Sequence, residues 1–389
     1  MTAPRHLILN GGSSTLKFAL YEGEARRLRG LIERIGATPR LRLSQAPAGL
    51  SPPAALAAPD TPAAAAALLD WLAASDELTG LDAIVHRIVH GGRDFADPVI
   101  LDEATLARLD ALSPLAPLHQ PQALAVVHAC RERLPGPLQI GCFDTAFHHD
   151  QPRLHQLFAL PRALSEEGIL RYGFHGLSYA YIARRLAELD GDKAGDRAIV
   201  AHLGQGASLC AMHRGRSLAT TMGFTALDGL MMGRRCGALD PGVVLYLQQQ
   251  RGWDSGRIER LLYHDSGLLG VSGHSDDMRD LLSRQDAACQ EAVDLFVHRL
   301  VREIGALVAV LGGLDTLVFT AGIGEHAAPI RQRVCEALAW LGVALDPERN
   351  AAHGPRLDRG HGPRLWVLAT DEEAEMRQEA MTLMRATDR

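Results

Sequence analysis

LILNGGSSTLKFALYEG, residues 7–23, and IVAHLGQGASLCAMHRG, residues 199–215, are two copies of one pattern. Each is a buried-looking strand that runs into a small-residue turn and then a second strand. Set gaplessly at an offset of 192 residues, Gly12 falls on Gly204, Ala19 on Ala211, Leu20 on Met212 and Gly23 on Gly215. Self-similarity at about half the chain length points to a duplicated domain. In Asn10-Gly11-Gly12-Ser13-Ser14-Thr15-Leu16-Lys17 two glycines let the backbone curl, so amides, hydroxyls and one lysine can face an anion. The spacing and following helix of a Walker A loop are missing. A plain hairpin is the competing reading, although it would need neither Lys17 nor a run of hydroxyls. Two phosphate turns, one in each half, are what a phosphoryl-transfer cleft requires.

Composition agrees with two ordinary α/β domains. The chain has 389 residues, a net charge of −6 and 47% hydrophobic residues, so it can fill two cores but offers no basic field for nucleic acid. No apolar run approaches the ~18 residues of a membrane span, and the N-terminus lacks a signal-like segment. The expectation is a cytoplasmic protein with neither a nucleic-acid nor a membrane partner. The six cysteines are scattered without a Cys-x-x-Cys pair, which indicates reduced thiols rather than a zinc site or disulfides. Strand-like segments (7–10, 16–21, 83–89, 139–143, 198–203, 209–212, 316–320, 365–369) alternate with helix-like ones, an α/β order. The longest helix, 287–311, carries Val293, Phe296, Leu300, Ile304, Leu307 and Val310 at three- and four-residue steps, a core-facing stripe. Residues 46–74, rich in Ala and Pro, read as a surface connection into a short helix.

The chemistry-bearing residues sit where strands end, as α/β sites do. They are His86-Arg87-Ile88-Val89-His90, Leu118-His119-Gln120, Asp144 after Phe143, and Tyr172-Gly173-Phe174-His175. Further along come His202-Leu203-Gly204-Gln205-Gly206, Thr225-Ala226, Gly233-Arg234-Arg235, Asp277-Met278-Arg279, Gly322-Ile323-Gly324-Glu325 and Asp371-Glu372.

Taken in order, these segments resemble the acetate kinase family over nearly the whole chain. The resemblance implies the fold of the acetate and sugar kinase, heat-shock and actin superfamily: two duplicated ribonuclease H-like domains with a cleft between them. It places the first domain at 1–147 plus 375–389 and the second at 148–374. The implied reaction is reversible in-line phosphoryl transfer between ATP and acetate or another short-chain carboxylate. Arg87 and Arg235 match active-site arginines, as expected where two anions must be brought together, since a guanidinium fork pairs two oxygens at once. His175 matches a histidine that stabilises the transferring phosphoryl group, with His119 assisting, and Asp144 matches the acidic residue that positions magnesium or orients the carboxylate. Val89, Leu118, Phe174 and Ala226 match the pocket around the substrate methyl group, beside Arg87. Lys17, His202, Gly204, Gln205, Gly206, Asp277, Met278, Arg279, Gly322, Ile323, Gly324 and Glu325 match nucleotide contacts. Asn10 and Glu372 match the magnesium site, where Mn2+ could substitute. A homodimer formed through the second domain is also implied.

Some positions depart from the family pattern. Thr15 replaces a serine, Gln120 and Gln205 replace asparagines, Arg234 replaces a threonine, and Ala226 stands where a proline is usual. Losing that ring would widen the acyl pocket, at ~0.8 kcal/mol per methylene accommodated, so propionate is an alternative substrate. A sugar kinase of the same superfamily is a further alternative.

Overall fold

The computed structural model describes residues 3–12, 14–117, 119–191 and 196–387. Its contacts divide the chain into two compact units, 1–146 with 371–389, and 147–370. The last helix, Glu372–Thr387, enters the first unit whole, so the return crossing comes at Asp371 rather than at the expected 375.

The first unit holds seven strands: β1 (Arg5–Gly11), β2 (Thr15–Glu22), β3 (Ala25–Glu33), β4 (Arg40–Gln45), β5 (Ala83–Ile88), β6 (Val99–Ile100) and β7 (Leu138–Phe143). They lie in the order β4-β3-β2-β1-β5-β7-β6. β1 is antiparallel to β2 and parallel to β5, and β5 is parallel to β7. Leu7 and Leu9 of β1 join Leu68, Leu69 and Leu72 of helix Thr61–Ala74 in one core. Strand alternation sends Ile8 and Asn10 to the opposite face, where Asn10 meets helix Glu372–Thr387. The short helix expected within 46–74 is present, but the connection before it is not all surface, since Leu50, Leu56 and Ala58 lie in or against the same core. The second half of that segment is a 14-residue helix whose alanines pack closely against the sheet because they have no bulk to keep it away.

The second unit holds β8 (Arg197–Leu203), β9 (Ala207–His213), β10 (Arg216–Thr220), β11 (Thr316–Thr320) and β12 (Arg364–Val367), in the order β10-β9-β8-β11-β12. β8 is antiparallel to β9 and parallel to β11, and β11 is parallel to β12. This repeats the order and directions of β3-β2-β1-β5-β7, so the duplication is a property of the fold. The gapless sequence match slips by one residue, however. Gly11 pairs with Leu16 in the first hairpin, while Leu203 pairs with Ala207 in the second. Ala198 and Val200 pack with Tyr179, Ile182 and Leu186. Helix Ala287–Leu311 buries Val293, Phe296, Leu300, Ile304 and Leu307, but Val310, expected on the same stripe, is exposed near its end. No helix among the described residues is long and apolar enough to cross a membrane.

Candidate active site

The first unit gathers its polar residues at the ends of β1, β5 and β7. Arg87, on β5, donates through Nε and Nη2 to both oxygens of Asp144 at 2.9 and 2.5 Å, and through Nη1 to Asn10 Oδ1 at 3.1 Å. A guanidinium has five N–H groups, so among the described residues two lie beyond these three bonds and can meet an incoming anion. Burial opposes the Arg87 charge, but Asp144, Glu372 and Glu373 outweigh it and hold the guanidinium above its ordinary value. Burial likewise pushes the Asp144 carboxyl up, against the pull of Arg87. Because a guanidinium does not give up its proton, the pair is an arginine cation on an aspartate anion. Lys17 is exposed and lies opposite Asn10 in the β1–β2 register. It therefore sits with Asn10 at the β1–β2 turn.

Around this pair, Val89 is buried, and His119 is half-buried at the start of helix Gln120–Arg133. Leu118 and Ser13 lie outside the described residues. The departure Gln120 is fully buried. Its side chain accepts from His90 N and donates to the carbonyls of His90 and Leu109, which staples the bend after Val89 in place.

The expected metal residues can be tested on their donor chemistry. Asn10 Nδ2 donates to Glu372 Oε2 at 2.8 Å, so the two side chains are neighbours, but the amide oxygen points away from that carboxylate and accepts from Arg87 Nη1. A site with few carboxylates fits Mg2+, which keeps waters and takes phosphate oxygens as its other ligands. A different group also comes together: ligand atoms of His274, Asp286 and Cys289 lie within 4.8 Å of one another. The sequence spacing gave no sign of it, and Asp286 is engaged in capping helix Ala287–Leu311.

In the second unit the centre is His175. Gly173 has φ +76°, and a Cβ there would come within 2.6 Å of His148 and Thr220, so only glycine fits. His175 itself has φ +61°, a conformation few non-glycine residues adopt. His148, buried, donates from Nε2 to the Phe174 carbonyl at 3.0 Å, and its Nδ1 faces Ser217 Oγ at 2.7 Å. Burial lowers His148 to about 4, so the ring is neutral and acts as a strut under the Phe174–His175 turn.

The His175 ring stacks on His202 with centroids 4.2 Å apart, and its Nδ1 lies 2.9 Å from Ser208 Oγ. Ser208 is also 2.5 Å from the Tyr179 hydroxyl. The phenol, Ser208 and Nδ1 form one chain of hydrogen bonds, and with the phenol donating to Ser208 the Ser208 hydroxyl proton is available to Nδ1. In that arrangement the neutral ring carries its proton on Nε2. A Cβ built on Gly206 would lie 3.2 Å from that Nε2 and 3.6 Å from Arg235 Nη1. The missing side chain leaves a small space lined by two cationic or hydrogen-bonding groups and the turn backbone. Arg235 is aimed by the Ala226 carbonyl, which accepts from Nη1 at 2.9 Å. The position chosen for its lost proline ring thus also steers an arginine through its backbone. Arg234, whose role the sequence left open, pairs with Asp276 at 2.6 Å, and Gly233 N donates to Gln205 O, tying this loop to the turn.

The remaining nucleotide candidates are also in this unit. Gly322, Ile323, Gly324 and Glu325 form a short helix, Ala321–His326, directly after β11, where the sequence suggested a turn. Fully buried Arg331 donates to the carbonyls of Gly324 and Glu325 and satisfies the end of that helix. Asp277 caps helix Met278–Ser283 through Arg279 N, and Arg279 is exposed. The Met278 side chain is buried, which leaves only its backbone for a ligand.

A duplicated sheet of this order, with a small-residue turn and a site arginine in each unit, defines a kinase of the actin-like ATPase fold. A sequence model of the acetokinase family matches residues 5–378, and the chain belongs to that family, whose enzymes transfer a phosphoryl group to a carboxylate. The chain is similar to the acetate kinase of Rhodopseudomonas palustris strain TIE-1, 50% identical over 94% of this chain and 95% of that one. An acetate kinase of Rhizobium meliloti is 43% identical over 98% of each. Among solved structures, a propionate kinase from Francisella tularensis is similar at 34% identity and a TM-score of 0.89, covering 97% of this chain and 98% of that one. An acetate kinase from Porphyromonas gingivalis is similar at 34% identity and a TM-score of 0.86, covering 98% and 100%.

Proposed function

We propose that this chain transfers the γ-phosphoryl group of ATP to acetate, giving acetyl phosphate and ADP, reversibly and by direct in-line attack. The observation that carries the acceptor assignment is Arg87. Its inner edge is fixed by Asp144 and Asn10, which orients the two remaining N–H groups toward a carboxylate, with Val89 buried nearby. Neutralising the acceptor matters because carboxylate and γ-phosphate repel each other, and positioning with electrostatics is nearly all that phosphoryl transfer asks of a protein. On the nucleotide side, His175 Nε2–H and Arg235 donate to the equatorial oxygens, where charge grows in the transition state. The Gly204–Gly206 turn holds the phosphates through its backbone. Glu372 would hold Mg2+, with the Asn10 amide steadying its carboxylate; when bound, the ion screens phosphate charge. A hydroxylamine trap tests the reading. Incubation with ATP, Mg2+ and acetate is expected to give acetohydroxamate; sugar phosphorylation with no hydroxamate above a heat-killed control would sink it.

Ala226 favours propionate as a second acceptor, because no ring fills the space beside Arg235. A homodimer is supported by helix Pro241–Gln249, none of whose residues is buried, and by the exposed side chains of Val243, Leu245 and Tyr246 on it. We place a second copy of the chain there. Tyr246→Asp is expected to shift the protein to a monomer in sedimentation, and an unchanged mass would reject the site.

A further inference from the structure

The acyl-kinase reading gives no role to Glu373 or Arg29, yet both are tied to its centre. Glu373 is 1% exposed. Its Oε1 accepts from Asn10 Nδ2 at 3.1 Å and its Oε2 accepts from Arg29 Nη2 at 2.8 Å. The same Asn10 amide nitrogen donates to Glu372 Oε2 at 2.8 Å. Both amide hydrogens therefore face carboxylates. Turned over, the amide would set its carbonyl oxygen against two anions in a buried site and leave its NH2 against the Arg87 guanidinium. The carboxylates thus fix Asn10 Oδ1 on the other side, where it accepts from Arg87 Nη1 at 3.1 Å.

We propose that Glu373, with Arg29 as its counter-charge, is a positioning residue for Arg87, acting through the Asn10 amide. From the partly exposed Arg29 inward, a cation, an anion, a dipole, a cation and an anion follow one another: Arg29, Glu373, Asn10, Arg87, Asp144. Each member is held by the next, and the last free edge in the series is the one Arg87 turns to the acceptor. Glu372 also accepts from Asn10 Nδ2, but Glu373 is the more deeply buried carboxylate and both of its oxygens are engaged inside the protein. The inference rests on the carboxylate-kinase reading for the identity of the acceptor, but the Asn10 lock itself does not depend on it.

Glu373→Gln keeps the size of the side chain and removes the charge that orients the amide. A charge-assisted hydrogen bond of this kind corresponds to a fall of roughly 10- to 100-fold in kcat/KM for acetate. The loss is expected in the KM for acetate, with the KM for ATP within about twofold. A readout independent of turnover is the rate at which phenylglyoxal modifies Arg87, followed by peptide mass spectrometry without substrates; it is expected to rise severalfold. In an Asn10→Ala background, Glu373→Gln is expected to add no further loss, because its effect runs through Asn10. Full additivity in that background overturns the proposal. So do an unchanged acetate KM and unchanged Arg87 reactivity in the folded variant. If Glu373→Gln does not fold, Arg29→Met at the solvent end of the series gives the same two readouts in smaller amplitude, and no change in either overturns the proposal. Wild-type protein that forms no acyl phosphate would defeat the carboxylate-kinase reading instead, and Arg87 reactivity would still decide this one.

Discussion

Replacing Ser208 with alanine separates the orientation of His175 from its presence. Ser208 is fully buried and stands between Tyr179 and His175, at 2.5 and 2.9 Å. The Tyr179 hydroxyl, pushed well above its ordinary value by burial, keeps its proton and so keeps donating. Ser208→Ala leaves that phenol without an acceptor and Nδ1 without a donor, in a site closed to bulk water. The stranded hydroxyl costs ~1–3 kcal/mol of stability, which in a domain of this size lowers Tm by about 2–4 °C per kcal/mol. Catalysis loses less than outright removal of a donor, ~2.7–4 kcal/mol, because the ring keeps its stack on His202. Freed of Ser208, the imidazole divides between two tautomers and loosens about its χ angles. A fall in kcat of roughly 10- to 50-fold, about 1.4–2.3 kcal/mol, is expected. The KM for ATP should stay within about twofold, because the effect falls on the transition state. The assay is initial-rate acetyl phosphate formation by hydroxamate colour, with Tm measured on the same preparation. A variant with the lowered Tm but wild-type kcat would refute the reasoning, since Ser208 would then be a packing residue only.

Gly206→Ala puts a methyl group about where a phosphoryl oxygen is to sit, 3.2 Å from His175 Nε2; kcat/KM for ATP should fall by roughly two orders of magnitude while Tm barely changes, and a wild-type rate would remove the turn from the site. His148 is lowered from 6.5 to about 4, so the unfolded chain binds the extra proton between those values, and the stability this site contributes is present above 6.5 and lost as pH falls toward 4. Urea midpoints at pH 7 and 5 should therefore differ less in His148→Gln than in wild type, and equal differences would contradict this burial effect. Ala226→Pro keeps the carbonyl that holds Arg235 and restores the ring; the ratio of kcat/KM for propionate to that for acetate should drop severalfold, and an unchanged ratio would show that Ala226 does not border the acyl group.

Most of the architecture could be read from the repeat, because a strand, turn and strand buried on both faces leaves a long apolar signature. What escaped were β3 and β4, where arginines alternate with leucines on a half-exposed edge, and the short strands β6 and β10. The register slip in the second hairpin was equally hidden, since glycine, alanine and serine in a turn carry no pairing information. At the site, Arg87, Asp144 and His175 were visible as charged residues after apolar strands. Their supports were not. Glu373, Arg29, Ser208, His148 and Arg331 act through buried hydrogen bonds between segments distant in sequence, and no local spacing announces such bonds. Met278 erred the other way: a motif position whose side chain serves the core.

The central claim is that a short carboxylate is the phosphoryl acceptor. Its most direct test is 31P NMR of the wild-type protein with ATP, Mg2+ and, in turn, formate, acetate, propionate and butyrate. The account predicts an acyl phosphate resonance growing as the γ-phosphate of ATP disappears, fastest with acetate or propionate. ATP consumed only to inorganic phosphate, at a rate indifferent to the carboxylate, would contradict it.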